Sequence, residues 1–180
     1  MKDTIRYADI IETDVINGIG TSVSLWVQGC PYYCDNCYNK ETWDFNAGTE
    51  INVNKLADII LGYINRDGIT RNFSVLGGEP LCDTNINEVA YIINKVRDTF
   101  KNIQIFVWTG NTYENLYKQI PLKESIKSIF DNIDLLIDGP YIDEKRNHTL
   151  FLRGSENQRI INIKEMRKQN SWNDIILYNR

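Results

Sequence analysis

Gly29-Cys30-Pro31-Tyr32-Tyr33-Cys34-Asp35-Asn36-Cys37-Tyr38 gathers three of the four cysteines of this chain into one loop, with the spacing C-x3-C-x2-C. A loop of that spacing can turn three thiolates towards one point. A structural zinc site is closed by four ligands, so three thiolates leave it one short. They suit an iron–sulfur cubane in which one iron lacks a protein ligand. An open position at a metal is where a substrate or cofactor can coordinate. A zinc site completed by Cys82 or His148 is the competing reading. Inert packing thiols fit less well, because packing cysteines scatter along a chain whereas ligating ones cluster.

The residues on either side of the loop set its place in the fold. Residues 21–28 (TSVSLWVQ) alternate in part and are β-rich, so they predict the first core strand, with the cysteines at its C-terminal end. Residues 7–11 predict a short edge strand, and Asn17-Gly18-Ile19-Gly20 a flexible turn. Downstream, apolar positions 53, 56, 57, 60 and 64 mark one helix face, with Asn52 or Asn54 as its cap. Positions 86, 89, 93, 96 and 100 mark a second, with Asn85 and Glu88 spaced as a capping box. Thr112 starts a third, in which Glu114 and Lys118 stand four apart as a supporting pair. Pro121 breaks that helix, and a further piece runs to about residue 130. Residues 73–76, 103–108 and 133–137 are short apolar runs of the kind buried on both faces of a sheet. Beyond Tyr141 the chain is less regular, with a strand expected over 159–163 and a short strand or helix at the end.

Strand, loop and helix thus alternate three times after the cysteine loop, which predicts a mostly parallel α/β sheet with right-handed crossovers. A closed eight-unit barrel needs roughly 250 residues. A chain of 180 residues is therefore expected to form a partial, incomplete β/α barrel. No repeat or linker divides it, so one domain over residues 1–180 is expected.

A second motif, Gly77-Gly78-Glu79-Pro80, closes the second core strand. Two glycines at a strand end let backbone approach a ligand closely. Glu79 can accept charge-assisted hydrogen bonds from an ammonium group. By itself this motif could equally be a tight turn.

In this order the two motifs resemble those of radical S-adenosylmethionine (radical SAM) enzymes. The resemblance narrows through Asn17-Gly18-Ile19-Gly20, Cys37-Tyr38-Asn39, Thr42-Trp43, Trp108-Thr109-Gly110, Asp138-Gly139-Pro140, Arg153-Gly154-Ser155 and Asn157-Gln158. Together these resemble the family of activating proteins of the anaerobic ribonucleoside-triphosphate reductase, over nearly the whole chain. Ile19 stands where that family often has proline, and Asn36 where many radical SAM proteins have an aromatic residue. The resemblance implies a [4Fe–4S] cluster on Cys30, Cys34 and Cys37, and S-adenosylmethionine bound beside it. Gly77, Gly78 and Glu79 would hold the methionine end of that cofactor. Asn36, Cys37 and Tyr38 would border its adenosyl end, and Thr109 and Asp138 would help position it. The implied activity is reductive cleavage of the cofactor to a 5′-deoxyadenosyl radical, which makes a glycyl radical on the large subunit of the reductase. A low-potential electron donor such as a flavodoxin is implied. Related readings are the activase of another glycyl-radical enzyme, or a small-molecule enzyme such as 7-carboxy-7-deazaguanine synthase. Cys82 is expected to be a free thiol, His148 a loop residue, and the segment 153–157 a part of the site or of a partner surface.

Composition excludes other classes. A net charge of −4 without a basic cluster argues against a nucleic-acid groove. No apolar run is long enough to cross a bilayer, and residues 1–11 lack a signal-peptide core. Three crowded cysteines are no disulfide framework, so a reducing cytoplasm is expected. The sequons at Asn72 and Asn147 are then chance matches.

Overall fold

The computed structural model describes residues 3–179. Met1, Lys2 and Arg180, the ends of the expected domain, lie outside the described residues. Seven strands form one sheet: β1 (Thr4–Asp14), β2 (Ser22–Val27), β3 (Thr49–Asn52), β4 (Asn72–Gly77), β5 (Ile105–Trp108), β6 (Leu135–Asp138) and β7 (Arg159–Asn162). Their spatial order is β3-β1-β2-β4-β5-β6-β7. The four central strands β2, β4, β5 and β6 run parallel, whereas β1, β3 and β7 pair antiparallel at the flanks. The sheet is therefore mixed, with its parallel part where the repeated strand–helix alternation placed it. Residues 7–11 belong to a strand longer than expected, and not to an edge: β3 lies outside β1 and takes the edge itself. β3 escapes a pattern search because only one of its four residues, Ile51, is apolar.

Among the described residues there are five α-helices, four between strands and the last after β7: α1 (Val53–Ile64), α2 (Ile86–Thr99), α3 (Tyr113–Gln119), α4 (Glu124–Asn132) and α5 (Ile163–Gln169). A two-residue hairpin, Asn65–Arg66 against Ile69–Thr70, follows α1. The N-cap of α1 is Asn52, whose side chain accepts from the N–H groups of Asn54 and Lys55. Val53, Leu56, Ala57, Ile60 and Ile64 are its buried stripe, the spacing of a helix facing a core. The cap expected of Asn85 on α2 is absent: its side chain makes no cap hydrogen bond and is used elsewhere, as described below. The expected Glu114–Lys118 pair also gives way, because Arg159 takes both Glu114 carboxylate oxygens at 2.8 Å. The fork geometry of an arginine outcompetes an exposed i,i+4 lysine.

The two faces of the sheet are covered differently. Val23, Leu25, Val27, Phe73, Val75, Ile105, Val107 and Leu136 face the helices in one large core. On the opposite, inner face Phe106, Leu135, Ile137 and Ile160 form a smaller cluster, against which Trp108 of β5 and Ile19, Phe151, Leu152 and Tyr178 pack. Apart from Trp108 that cover lies outside the strands and helices. The segment 15–20 crosses the inner face, held where Ser74 Oγ donates to Asn17 O (2.5 Å) and Asn72 Nδ2 to Ile19 O (2.8 Å). Gly18, with φ +151°, lies so close to Ser22 and Phe106 that a Cβ would collide with both. The serine in the middle of β4, Ser74, is thus explained by the loop it faces. Among the described residues no helix is long and apolar enough to cross a membrane.

Candidate functional site

The cysteine loop leaves β2 through Gln28 and Gly29 and is closed by the chain returning at residues 40–45. Gly29 N–H donates to Thr42 O (2.7 Å) and Cys30 N–H to Trp43 O (3.1 Å). Gln28 is buried, and its Nε2 donates to Glu41 O (3.0 Å) and Asp44 O (2.8 Å). Gly29 has φ +95°, and a side chain there would meet the Phe45 ring. Within the loop Cys37 N–H donates to Cys34 O (3.1 Å), and Asn39 N–H points at Cys37 Sγ (3.4 Å). Tyr33 and Asn36 adopt left-handed backbone angles, φ +49° and +52°. Such angles are uncommon outside glycine and gather at functional turns. All four cysteines are free thiols, none of them fully exposed.

The glycine motif abuts this loop. A Cβ on Gly78 would overlap the carbonyl of Gly29, and one on Gly77 (φ +102°) would meet the Val27 backbone at 2.8 Å. Those contacts replace side chains with hydrogen bonds: Gly78 N–H to Val27 O and Glu79 N–H to Gly29 O, both 2.8 Å. The buried carboxamide of Asn85 completes the junction, its Nδ2 donating to Gln28 O and Glu79 O at 3.0 Å each.

Glu79 is almost wholly buried. Its Oε1 accepts from Thr109 Oγ1 (2.7 Å) and Leu81 N–H (2.9 Å), and its Oε2 from Gly110 N–H (2.7 Å). Among the described residues no Lys, Arg or His forms an ion pair with it. Burial outweighs the three donors and pushes its carboxyl up to about 6. A Cβ on Gly110 would strike the Tyr32 ring, so Tyr32 lies over the same corner.

Cys30, Cys34, Cys37, Gly77, Gly78, Glu79 and Thr109 line one cavity with about 650 Å³ of empty space open to solvent. The structure thus brings together seven of the ten residues singled out by sequence. Three lie apart from that lining. The Asn36 side chain donates to Asp143 Oδ2 (2.8 Å). Tyr38 borders a neighbouring cleft, within a cluster where Arg146 stands 4.9 Å from its ring and Tyr141 and His148 meet it edge-on. Asp138 is fully buried and turned away: its carboxylate takes Arg159 Nε (3.0 Å) and Nη2 (2.5 Å) and the Tyr113 N–H (2.7 Å). Those bonds tie the end of β6 to the start of α3 and to Arg159. Thr109 bonds Glu79.

Of the tail, Gln158, just beyond the segment 153–157, lines the cavity. Gln158 Oε1 accepts from the N–H groups of Gly154 (2.8 Å) and Ser155 (3.2 Å), while its Nε2 donates to Gly139 O (3.0 Å). Asn157 Nδ2 donates to Pro140 O (2.7 Å). These bonds clamp the tail onto the turn after β6 and set Gln158 in the cavity lining. Trp43, Tyr141 and Asn85 were missed as site residues. Nothing in their local pattern distinguishes them from core or cap residues, since each acts through a partner distant in sequence.

The donor set fits an iron–sulfur cluster. Burial pushes the Cys30 thiol up to about 11 and raises Cys34 as well, so both remain protonated until a metal displaces the proton. Among the described residues no three His, Cys, Asp or Glu side chains are grouped to hold a single metal ion. A cubane takes each thiolate on a different iron, and needs only three thiols of one loop bordering one cavity. Glu79, a buried carboxylate without a cation, suits the ammonium end of a ligand in that cavity.

Residues 16–161 match a family model described as a 4Fe-4S single cluster domain. An anaerobic ribonucleoside-triphosphate reductase-activating protein of Salmonella typhimurium is 32% identical over 161 residues, covering 89% of this chain and 100% of its own length. One from Haemophilus influenzae is 35% identical over 167 residues, covering 89% and 99%. The solved structure of QueE from Escherichia coli matches 61% of this chain and 53% of its own at 19% identity, with a TM-score of 0.42.

Proposed function

The chain belongs to the family of anaerobic ribonucleoside-triphosphate reductase-activating proteins and carries its 4Fe-4S single cluster domain; on that premise we propose that it is a radical SAM activase that installs a glycyl radical on such a reductase. One juxtaposition carries this reading: Cys30, Cys34 and Cys37 border the same cavity as Gly77, Gly78 and the uncompensated carboxylate of Glu79. Cys30, Cys34 and Cys37 would hold the cluster, which would supply the electron for reductive cleavage of S-adenosylmethionine and so the radical chemistry that ends on a glycine of the reductase.

The chain's own residues bind and orient. Cys30, Cys34 and Cys37 would be the cluster's protein ligands. Glu79 accepts from the methionine ammonium, its carboxylate aimed by Thr109 Oγ1 and Gly110 N–H. The backbone of Gly77 and Gly78, bare of side chains, admits the methionine end. Asn36 and Tyr38 border the adenosyl end through backbone, their side chains being engaged with the 141–148 segment. Burial of the Glu79 carboxylate keeps water from the group that would meet the ammonium.

The activase is read as a single domain over residues 1–180, a partial barrel whose open side admits a macromolecule. It works in the cytoplasm with a low-potential donor such as a flavodoxin. The test mixes reduced, cluster-loaded protein with S-adenosylmethionine and the reductase without oxygen. A glycyl doublet in electron paramagnetic resonance is expected. Release of 5′-deoxyadenosine without the doublet would move the target elsewhere.

A further inference from the structure

One buried donor at the cluster cavity has no task in the chemistry above. The indole of Trp43 borders the cavity together with Cys30, Cys34 and Cys37. Its Nε1 is buried and, among the described residues, has no hydrogen-bond partner. We propose that this N–H donates to a sulfur of the bound cluster and so makes the cluster easier to reduce. The inference rests on the activase reading and adds to it a residue that sets the potential of the cofactor.

Neighbouring donors show what sets Trp43 apart. Thr42 Oγ1 donates to Asn39 O (2.7 Å), Trp108 Nε1 to Leu152 O (2.9 Å), Thr109 Oγ1 to Glu79 Oε1 (2.7 Å) and Gln158 Nε2 to Gly139 O (3.0 Å). All four residues line the same cavity. Of the described lining residues, Trp43 alone has a buried side-chain nitrogen or oxygen without a partner. A buried donor left unpaired is costly, and phenylalanine would fill much of the same space without that cost. The indole is accounted for if its acceptor arrives with the cofactor.

The ring is also held in place at the first cysteine. Cys30 N–H donates to Trp43 O (3.1 Å), and Trp43 N–H to Lys40 O (3.2 Å). Gln28 Nε2 grips the nearby carbonyls of Glu41 and Asp44. The Tyr33 ring meets the indole edge-on at 5.2 Å, and Lys40 Nζ stands 5.8 Å from its centroid. The N–H cannot turn to water without breaking these contacts. Sulfur is the acceptor that a cluster would bring beside it, as thiolate or as sulfide. Reduction adds negative charge to a cluster, so a hydrogen bond to its sulfur favours the reduced form and raises the potential.

The test uses cluster-loaded protein without S-adenosylmethionine. Tryptophan labelled with nitrogen-15 at Nε1 is expected to show a nitrogen coupling to the reduced cluster in pulsed electron paramagnetic resonance, and Trp43→Phe to lose it. At a fixed solution potential the ratio of reduced to oxidised cluster in Trp43→Phe should be about threefold lower or more, the effect of one ordinary hydrogen bond. Iron and sulfide per protein should stay the same. Trp172→Phe, whose ring stacks on Phe130 outside the cavity, should keep both the coupling and the ratio. A loaded wild type without the coupling leaves the N–H to the Tyr33 ring and overturns the proposal, while the activase reading stands. A coupling that appears only once S-adenosylmethionine is added, or an unchanged ratio in Trp43→Phe, overturns it equally. Should Trp43→Phe fail to load iron, the wild-type coupling decides alone. A wild type that assembles no iron–sulfur cluster refutes the activase reading itself.

Discussion

Gly78→Ala is a one-methyl change whose effect can be worked from the geometry. The added Cβ would overlap the carbonyl oxygen of Gly29 and stand 2.9 Å from its carbon and 3.1 Å from its nitrogen. All three are backbone atoms, so no side chain can swing aside. Ordinary contact distances near 3.5 Å require the ends of β2 and β4 to part by about 1 Å. That movement breaks the 2.8 Å bonds from Gly78 N–H to Val27 O and from Glu79 N–H to Gly29 O. Overpacking costs about 1–3 kcal/mol and each of the two lost hydrogen bonds about 1 kcal/mol, or about 3–5 kcal/mol together. In a chain of this length 1 kcal/mol moves the melting temperature by about 2–4 °C, so calorimetry of the metal-free variant should show a drop of about 10 °C. Iron bound per protein after anaerobic reconstitution should fall in parallel, because the same carbonyl belongs to the residue preceding Cys30. A variant that melts like the wild type and loads its full iron would refute the claim that the two motifs are in backbone contact.

Gly62→Ala is the opposite case: the site is exposed in α1 with nothing within 4 Å of a Cβ, and alanine should stabilise by about 1 kcal/mol, read as a higher melting temperature. Serine at Cys30, Cys34 or Cys37 should each lower bound iron and sulfide severely, whereas Cys82→Ser should load normally, as metal analysis will show. Arg159→Met strands the buried Asp138 carboxylate and releases Glu114, at a cost of about 3 kcal/mol in urea unfolding. Carboxyl resonances followed by NMR in the metal-free protein should show Glu79 titrating near 6 and Glu114, held down by its Arg159 hydrogen bonds, near 2. The signs differ. Glu79 contributes stability that is present below its unfolded value of about 4.5 and lost as pH rises through 6. Glu114 contributes stability present above about 4.5 and lost as pH falls towards 2.

The parallel strands and long helices were legible because each repeats one chemical signal over many residues. The stripe at 53, 56, 57, 60 and 64 needs no tertiary information, and α1 follows it to the residue. The cysteine loop and Gly77-Gly78-Glu79 were legible for another reason: their residue types have few other uses at that spacing. Failures occurred where a side chain answered to a distant partner. Asn85 looks like a helix cap, yet bonds two carbonyls from other turns. Asp138 ends a strand at the rim, yet a guanidinium from the next strand claims it. Glu114 has a lysine at the right helical interval and still pairs with Arg159. Local spacing states which contacts are available; the tertiary arrangement selects among them.

The junction made by Asn85, Gly78 and Glu79 has a consequence for maturation. Four hydrogen bonds hold the turn before the cysteines and the turn that would meet the cofactor together, and no thiol takes part in any of them. The junction should therefore outlast removal of the metal, unlike a zinc finger, whose ligands are gathered only by the metal. Iron loss should accordingly leave a folded apoprotein that can be refilled.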